Sequence, residues 1–161
     1  MYEQLQNDGY DNLEFYEDSN YPLEKLAGIK TKLDKALSKR VWLKSGGNLV
    51  IEPTEALTVI DVNTGKAIEG KRNKETTFFK VNCEAAKEAA RQIRLRNLSG
   101  IIIIDFINMK NSDNNLALLH SLREWTADDP VTTKVIDMTP LGLVEITRKK
   151  IHMPLSEQLK E

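Results

Sequence analysis

The chain has 161 residues, with 23 Lys and Arg against 24 Asp and Glu, and 40% of its residues are hydrophobic. That is enough for one domain with a real core and too little for two comfortable ones. Its single cysteine, Cys83, excludes an internal disulfide framework and fits a reducing, cytoplasmic setting. No apolar run reaches the roughly 20 residues of a membrane helix, and no charged-then-apolar leader opens the chain. The charge is uneven: residues 1–20 hold six acids (Glu3, Asp8, Asp11, Glu14, Glu17, Asp18) and no Lys or Arg, leaving a body of net charge about +5. A mildly basic body is compatible with an anionic partner without establishing one.

Residues 1–22 are polar, acidic and aromatic without a sustained period, and read as an arm or linker. Leu23, Leu26, Ile29, Leu33 and Leu37 then recur at helical spacing and predict one amphipathic helix over 23–38. Residues 41–44 and 48–52 read as two strands, with Ser45-Gly46-Gly47 between them as a hairpin turn whose glycines accept positive φ. Pro53 interrupts, and residues 55–62 supply a third strand, so three antiparallel neighbours are expected. The Lys-rich loop over 64–74 contains two misleading motifs. Gly65 to Lys71 matches a phosphate loop except that Arg72 stands where Ser or Thr must hold magnesium. The run from Asp61 starts like a calcium loop, but Lys66 and Arg72 occupy its glycine and glutamate positions. Neither motif survives, and a solvated basic loop (Lys66, Lys71, Arg72, Lys74) remains.

Residues 77–96 are the strongest helix, with Phe79, Cys83, Ala86, Ala90 and Ile93 as one apolar stripe. In that stripe Cys83 reads as a small buried hydrophobe, not a nucleophile. Lys87, Arg91 and Arg94 form a basic row on a neighbouring face, which could track a phosphate backbone or could be a plain solvated face. Residues 101–106 re-enter the sheet. A helix over 113–126 follows, capped by Ser112, with Leu118, Leu119, Leu122 and Trp125 inward and Asp128-Asp-Pro130 as its stop. His120 has no second histidine at ligand spacing. Residues 134–138 and 141–147 read as two more strands, and the chain from Arg148 on turns polar.

Two of these strands end in a carboxylate: Asp61, followed by Asn63, and Asp105. A strand, a long helix and another strand form a crossover unit, which joins parallel strands with a right-handed connection. Both carboxylates would then lie at the same carboxyl-terminal sheet edge, where open α/β sheets bind ligands. Two close carboxylates repel unless a proton or cation lies between them, and a hard divalent cation with oxygen ligands is the natural occupant. The expected fold class is α/β, a mixed sheet with an N-terminal antiparallel hairpin region and parallel crossover strands, packed by about three helices.

The words Val41-Trp-Leu-Lys-Ser-Gly-Gly47, Thr54-Glu-Ala-Leu57, Ile60-Asp-Val-Asn63, Glu84-Ala-Ala86, Arg91-Gln-Ile-Arg-Leu-Arg96, Ile101-Ile-Ile-Ile-Asp-Phe-Ile107 and Leu141-Gly-Leu-Val-Glu-Ile-Thr-Arg-Lys149 occur in the order found in the ribonuclease E/G family. Over about 23–155 the chain resembles the DNase I-like catalytic subdomain of that family. Between the acidic arm or linker over 1–22 and the polar tail over 151–161, both read from composition, the resemblance implies a catalytic α/β subdomain over 23–150. It also implies magnesium-dependent hydrolysis of single-stranded RNA in RNA processing and decay, with a 5′-phosphate left on the downstream product. Asp61 and Asp105 would be the metal ligands, with Mn²⁺ as a possible substitute, and Asn63 the supporting catalytic amide. Lys87, Arg91, Arg94 and Arg148 are the expected substrate contacts.

A homodimer through this subdomain is the expected assembly, and a non-catalytic assembly or RNA-interaction module is the alternative. The chain departs from the family pattern at Asn108, where an acid is common, and at Thr132 and Pro140, where bases are common. It lacks the S1 and 5′-sensor regions and the Cys-x-x-Cys zinc link, so no zinc is expected, and an excised or truncated subdomain is the reading these departures favour.

Overall fold

The computed structural model describes residues 2–7, 9–10, 12–18, 20–68 and 73–159, and it leaves the side chains of Tyr2 and Ile68 aside. Lys71 and Arg72, on which the basic loop and both misleading motifs partly rested, lie outside the described residues. The chain forms two compact units, Met1–Lys35 and Ala36–Glu161.

In the first unit, α1 (Tyr2–Asn7) is a short helix where the sequence predicted none. The continuous helix expected over 23–38 is corrected to α2 (Leu23–Leu26) and α3 (Ile29–Leu37), whose end runs into the second unit. The break falls at Gly28, whose φ of +59° is left-handed backbone that glycine adopts without a Cβ clash.

The second unit is built on a six-stranded sheet: β1 (Arg40–Trp42), β2 (Asn48–Pro53), β3 (Leu57–Asn63), β4 (Gly100–Asp105), β5 (Thr133–Met138) and β6 (Leu143–Arg148). Its order is β1-β2-β3-β4-β6-β5, with β3 and β4 parallel and every other pair antiparallel. The crossover between β3 and β4 is α4 (Lys74–Leu95), and α5 (Ser112–Ala127) leads from β4 to β5. A short α6 (Leu155–Gln158) follows β6.

Alternation sorts the strand residues cleanly. Leu49, Ile51, Ile60, Val62, Ile102, Ile104, Val144 and Ile146 are buried at every second position. They form one core cluster with Val81, Ala85, Ala86, Ala89 and Ile93 of α4 and Leu118, Leu119 and Leu122 of α5. The paired alanines at 85/86 and 89/90 let α4 lie close to the sheet and to α5. The buried stripe is therefore turned slightly from the predicted one, and Phe79 and Cys83 sit half-buried at its margin. Burial raises the Cys83 thiol pKa above its ordinary value, consistent with a packing role.

Asn73 caps α4 by accepting from Thr76 N at 3.1 Å. Asn111, not Ser112, caps α5, accepting from Asp113 N at 2.9 Å. At the far end of α4, Asn97 takes φ +50° and closes the helix through Leu98 N to Ile93 O at 3.0 Å. The Asn97 amide then donates to the carbonyls of His152 and Met153, both at 3.0 Å, and ties the polar tail back to the domain.

Candidate metal centre at the strand ends

The predicted juxtaposition is present. Asp61 and Asp105 are direct partners in the parallel β3–β4 register, so both side chains leave the same face of the sheet. That face is opposite the one covered by α4 and α5, because Ile60, Val62 and Ile104, their neighbours along the strands, belong to the buried set. Asp61 is half-buried and Asp105 exposed. Asn63 lies two residues beyond Asp61 on the same face, and its Nδ2 donates to Asp61 Oδ2 at 2.7 Å. That bond fixes one carboxylate oxygen and leaves the other free to accept.

The donor set fits a hard cation that keeps most of its water. Among the described residues no three His, Cys, Asp or Glu side chains gather into a cage. Two carboxylates plus substrate oxygens are the ligands magnesium usually takes, whereas calcium needs six to eight oxygens.

The backbone around this edge is held from α4, and by residues to which the sequence reading assigned no role. Asn82 is fully buried. Its Nδ2 donates to Ile107 O at 2.8 Å while its Oδ1 accepts from Ile107 N at 3.0 Å, a two-point grip two residues beyond Asp105. One helical stretch earlier, the Glu75 carboxylate accepts from Lys110 N at 3.0 Å and Asn111 N at 3.1 Å. The Asn111 amide foremost, with Lys110 and Asn114 adding to it, holds Glu75 below the usual carboxylate range. Glu84 does the same for the β1–β2 turn, accepting from Lys44 N at 2.6 Å and Ser45 N at 3.2 Å. The available signal was an amide, Asn82, among the core residues of an otherwise alanine-rich helix face.

Three glycines complete the edge. Gly46 alone takes the positive φ expected of the hairpin, +90°. Gly47 is needed for space: a Cβ there would meet Asn63 O at 2.8 Å, and one on Gly65 would meet Gly46 O at 2.3 Å. The hairpin turn thus packs directly under the backbone that carries Asn63. Opposite Asn63 across the β2–β3 pairing, Asn48 is buried and its Oδ1 has no hydrogen-bond partner among the described residues.

The predicted basic residues do not gather around the acidic pair. Lys87, Arg91 and Arg94 line a cleft of about 620 Å³ between β1, α4 and α5, together with Glu84, Glu88, Glu124 and Asp128. Arg91 donates Nε and Nη2 to the two Glu88 oxygens, at 2.9 and 2.7 Å. Burial would raise Glu88, but the bonds from Arg91 and Gln92 outweigh it and hold that carboxyl low. Arg94 donates to Trp125 O at 2.9 Å, bracing α4 against α5.

Arg148 is a correction. It is 4% exposed, forks onto both Asp129 oxygens at 2.8 and 3.1 Å, and donates to Asn97 Oδ1 and Leu98 O. A guanidinium enclosed in this way locks the β6 end to the α5–β5 connection and is not available to a substrate. Asn108 borders a smaller cleft of about 250 Å³ with Asn115, Thr139 and Leu141. Gly142 takes a left-handed φ of +85° there, and a Cβ on it would come within 3.1 Å of Asn108 Oδ1.

The family model of the ribonuclease E/G family matches residues 1–151. Ribonuclease G of Escherichia coli (strain K12) is 49% identical over 138 residues, covering 86% of this chain and 28% of that protein. Ribonuclease G of Haemophilus influenzae is 48% identical over 140 residues, 87% of this chain and 28% of the relative. Ribonuclease E of Nostoc is 44% identical over 129 residues, 80% of this chain and 19% of the relative. The chain spans under a third of the length of the curated relatives it matches. With that extent and identity, the chain belongs to the ribonuclease E/G family.

Proposed function

We propose that this chain carries the catalytic centre of a metal-dependent endoribonuclease acting on single-stranded RNA. The observation that supports it most is the Asp61–Asp105 register pair with Asn63 bonded to Asp61. Asp61 and Asp105 would hold Mg²⁺, or Mn²⁺ in its place. A bound Mg²⁺ supplies an activated water and neutralises charge developing on phosphate oxygens during in-line attack. The protein's own part is positional. Asn63 keeps the Asp61 carboxylate in one rotamer, Asn82 and Glu75 keep the loop after Asp105 from drifting, and Glu84 holds the turn beneath Asn63. An unmet pair of carboxylates on adjacent strands is repulsive, so the same side chains that bind the cation are the ones that its removal would destabilise.

The test is titration calorimetry of Mg²⁺ and Mn²⁺ with the wild-type chain and with Asp61→Asn/Asp105→Asn. Binding in the millimolar range or tighter is expected for the first and none for the second. Equal binding by both would overturn the assignment. A fluorogenic single-stranded RNA cleaved with Mn²⁺ by the wild type and not by Asp105→Asn would complete it. A second reading, a non-catalytic assembly module that pairs with its own copy, draws on exposed apolar side chains such as Leu116 (66%) and Leu141 (80%). Light scattering at several concentrations tests it, and a strict monomer removes it.

A further inference from the structure

We infer that Trp42, with Arg40 beside it, is a stacking subsite for a nucleobase of the RNA strand next to the acidic pair; this rests on the function proposed above. The register places it. Arg40 pairs with Val50, Val50 with Asp61 and Asp61 with Asp105, so one row crosses four strands with all four side chains on one face. Trp42, Asn48 and Asn63 form the next row on that same face. At a spacing of about 4.8 Å per strand, Arg40 stands roughly 10 Å across the sheet from Asp61.

The chemistry of the two side chains matches a nucleotide. Trp42 is 66% exposed, on an edge strand, although tryptophan is highly buried on average. The Arg40 guanidinium lies 5.7 Å from the centroid of its ring. With the cation over one face of the indole, the remaining π-surface is offered to a base and the positive charge to the adjoining phosphate. Half-buried Val50 lies in the row between Arg40 and Asp61. The acidic pair by itself repels phosphate, so a cation in the same row is where a strand leaving the metal centre would next find attraction.

Trp42 also forms the rim of the cleft that carries Lys44, Lys87 and Arg91. Of the four carboxylates lining that cleft, Glu84 is engaged by the turn amides and Glu88 by Arg91, and Glu124 and Asp128 stand on its α5 side. Trp42 thereby joins the predicted basic row, which does not reach the acidic pair directly, to the face on which that pair lies.

The chain has two tryptophans, so Trp125→Phe leaves Trp42 as the only indole reporter. The experiment titrates this variant with a fluorescein-labelled single-stranded oligouridylate, reading anisotropy for binding and Trp42 emission for stacking. An abasic strand of the same length is the control. Intact RNA is expected to quench Trp42 and the abasic strand to leave it bright. Trp42→Ala should weaken binding roughly five-fold or more, while Trp42→Phe should retain most of it. Quenching should persist in Asp61→Asn/Asp105→Asn, because the subsite does not need the carboxylates. Binding by anisotropy with Trp42 emission unchanged, or equal quenching by the abasic strand, would overturn the subsite and leave the proposed function standing. Absence of any RNA binding would overturn both.

Discussion

Replacing Asn82 by alanine tests how the acidic edge is held. The change removes two hydrogen bonds to Ile107, of 2.8 and 3.0 Å, each worth about 1 kcal/mol net. It also strands the Ile107 N–H and C=O in a half-buried position and opens space beside Val81 and Ala86. An unpaired buried polar group costs about 1–3 kcal/mol. For two such groups that penalty replaces the net value of the bonds, and partial solvent access to Ile107 argues for its low end, about 2–3 kcal/mol in all. That is a large fraction of the 5–15 kcal/mol typical of a domain. Urea unfolding should show a lower midpoint with an unchanged slope. Asn82→Asp keeps the acceptor for Ile107 N–H but sets a buried carboxylate against Ile107 O. It should be worse than alanine at pH 7 and recover in part at acid pH, where the carboxyl is neutral. Calorimetry on the same variants should show weaker Mn²⁺ binding, since Asp105 lies two residues from the released backbone. Stability of Asn82→Ala within about 0.5 kcal/mol of wild type would refute the reasoning. A loss of stability with Mn²⁺ binding intact would confine Asn82 to the fold.

Two further substitutions probe the frame. Arg148→Met leaves the Asp129 carboxylate buried without its partner and should cost about 3–5 kcal/mol by chemical denaturation. Burial by itself would raise Asp129, but Arg148, Val131 N and Thr133 together hold it below its ordinary value. A folded pKa lower than the unfolded one, about 3.9, stabilises the fold above that value and loses the contribution as pH falls through the lowered folded pKa. Acid unfolding below about pH 4 should therefore be less steep in Arg148→Met than in wild type. Gly65→Ala forces a Cβ to within 2.3 Å of Gly46 O at a φ of +51°. A loss of about 2 kcal/mol or more is expected in the same assay, and a neutral result would show that the turn beneath Asn63 can shift.

Much of the architecture was legible in the chain because it rests on local rules. Short runs of β-branched and aliphatic residues marked β2, β3 and β4, and two strands flanking a long helix implied parallel pairing. Parallel pairing in turn implied that Asp61 and Asp105 share an edge, and the observed register pairs them residue for residue. The break at Gly28 was not legible, since the leucine period runs straight through it and only the left-handed φ interrupts it.

Tertiary structure decided what could not be read from spacing. Arg148 and Lys87 look alike in a sequence; burial beside Asp129 makes the first a structural ion pair and leaves the second at a cleft. Asn82 and Glu75 carry no motif, and Glu84 opens a family word that shows nothing of its role, because their partners are backbone peptide groups 25 to 40 residues away that come within reach only when α4 docks on the sheet. Trp42 reads as one more strand residue until β1 proves to be the sheet's edge, with its ring on the open face. The sequence by itself put both carboxylates at one sheet edge, since strand direction is set by connection length and handed sterics, while the adjacency of β3 and β4 that makes them a pair belongs to the sheet. What surrounds the pair depends on which long-range contacts bury which polar group, and that is settled only by the packed chain.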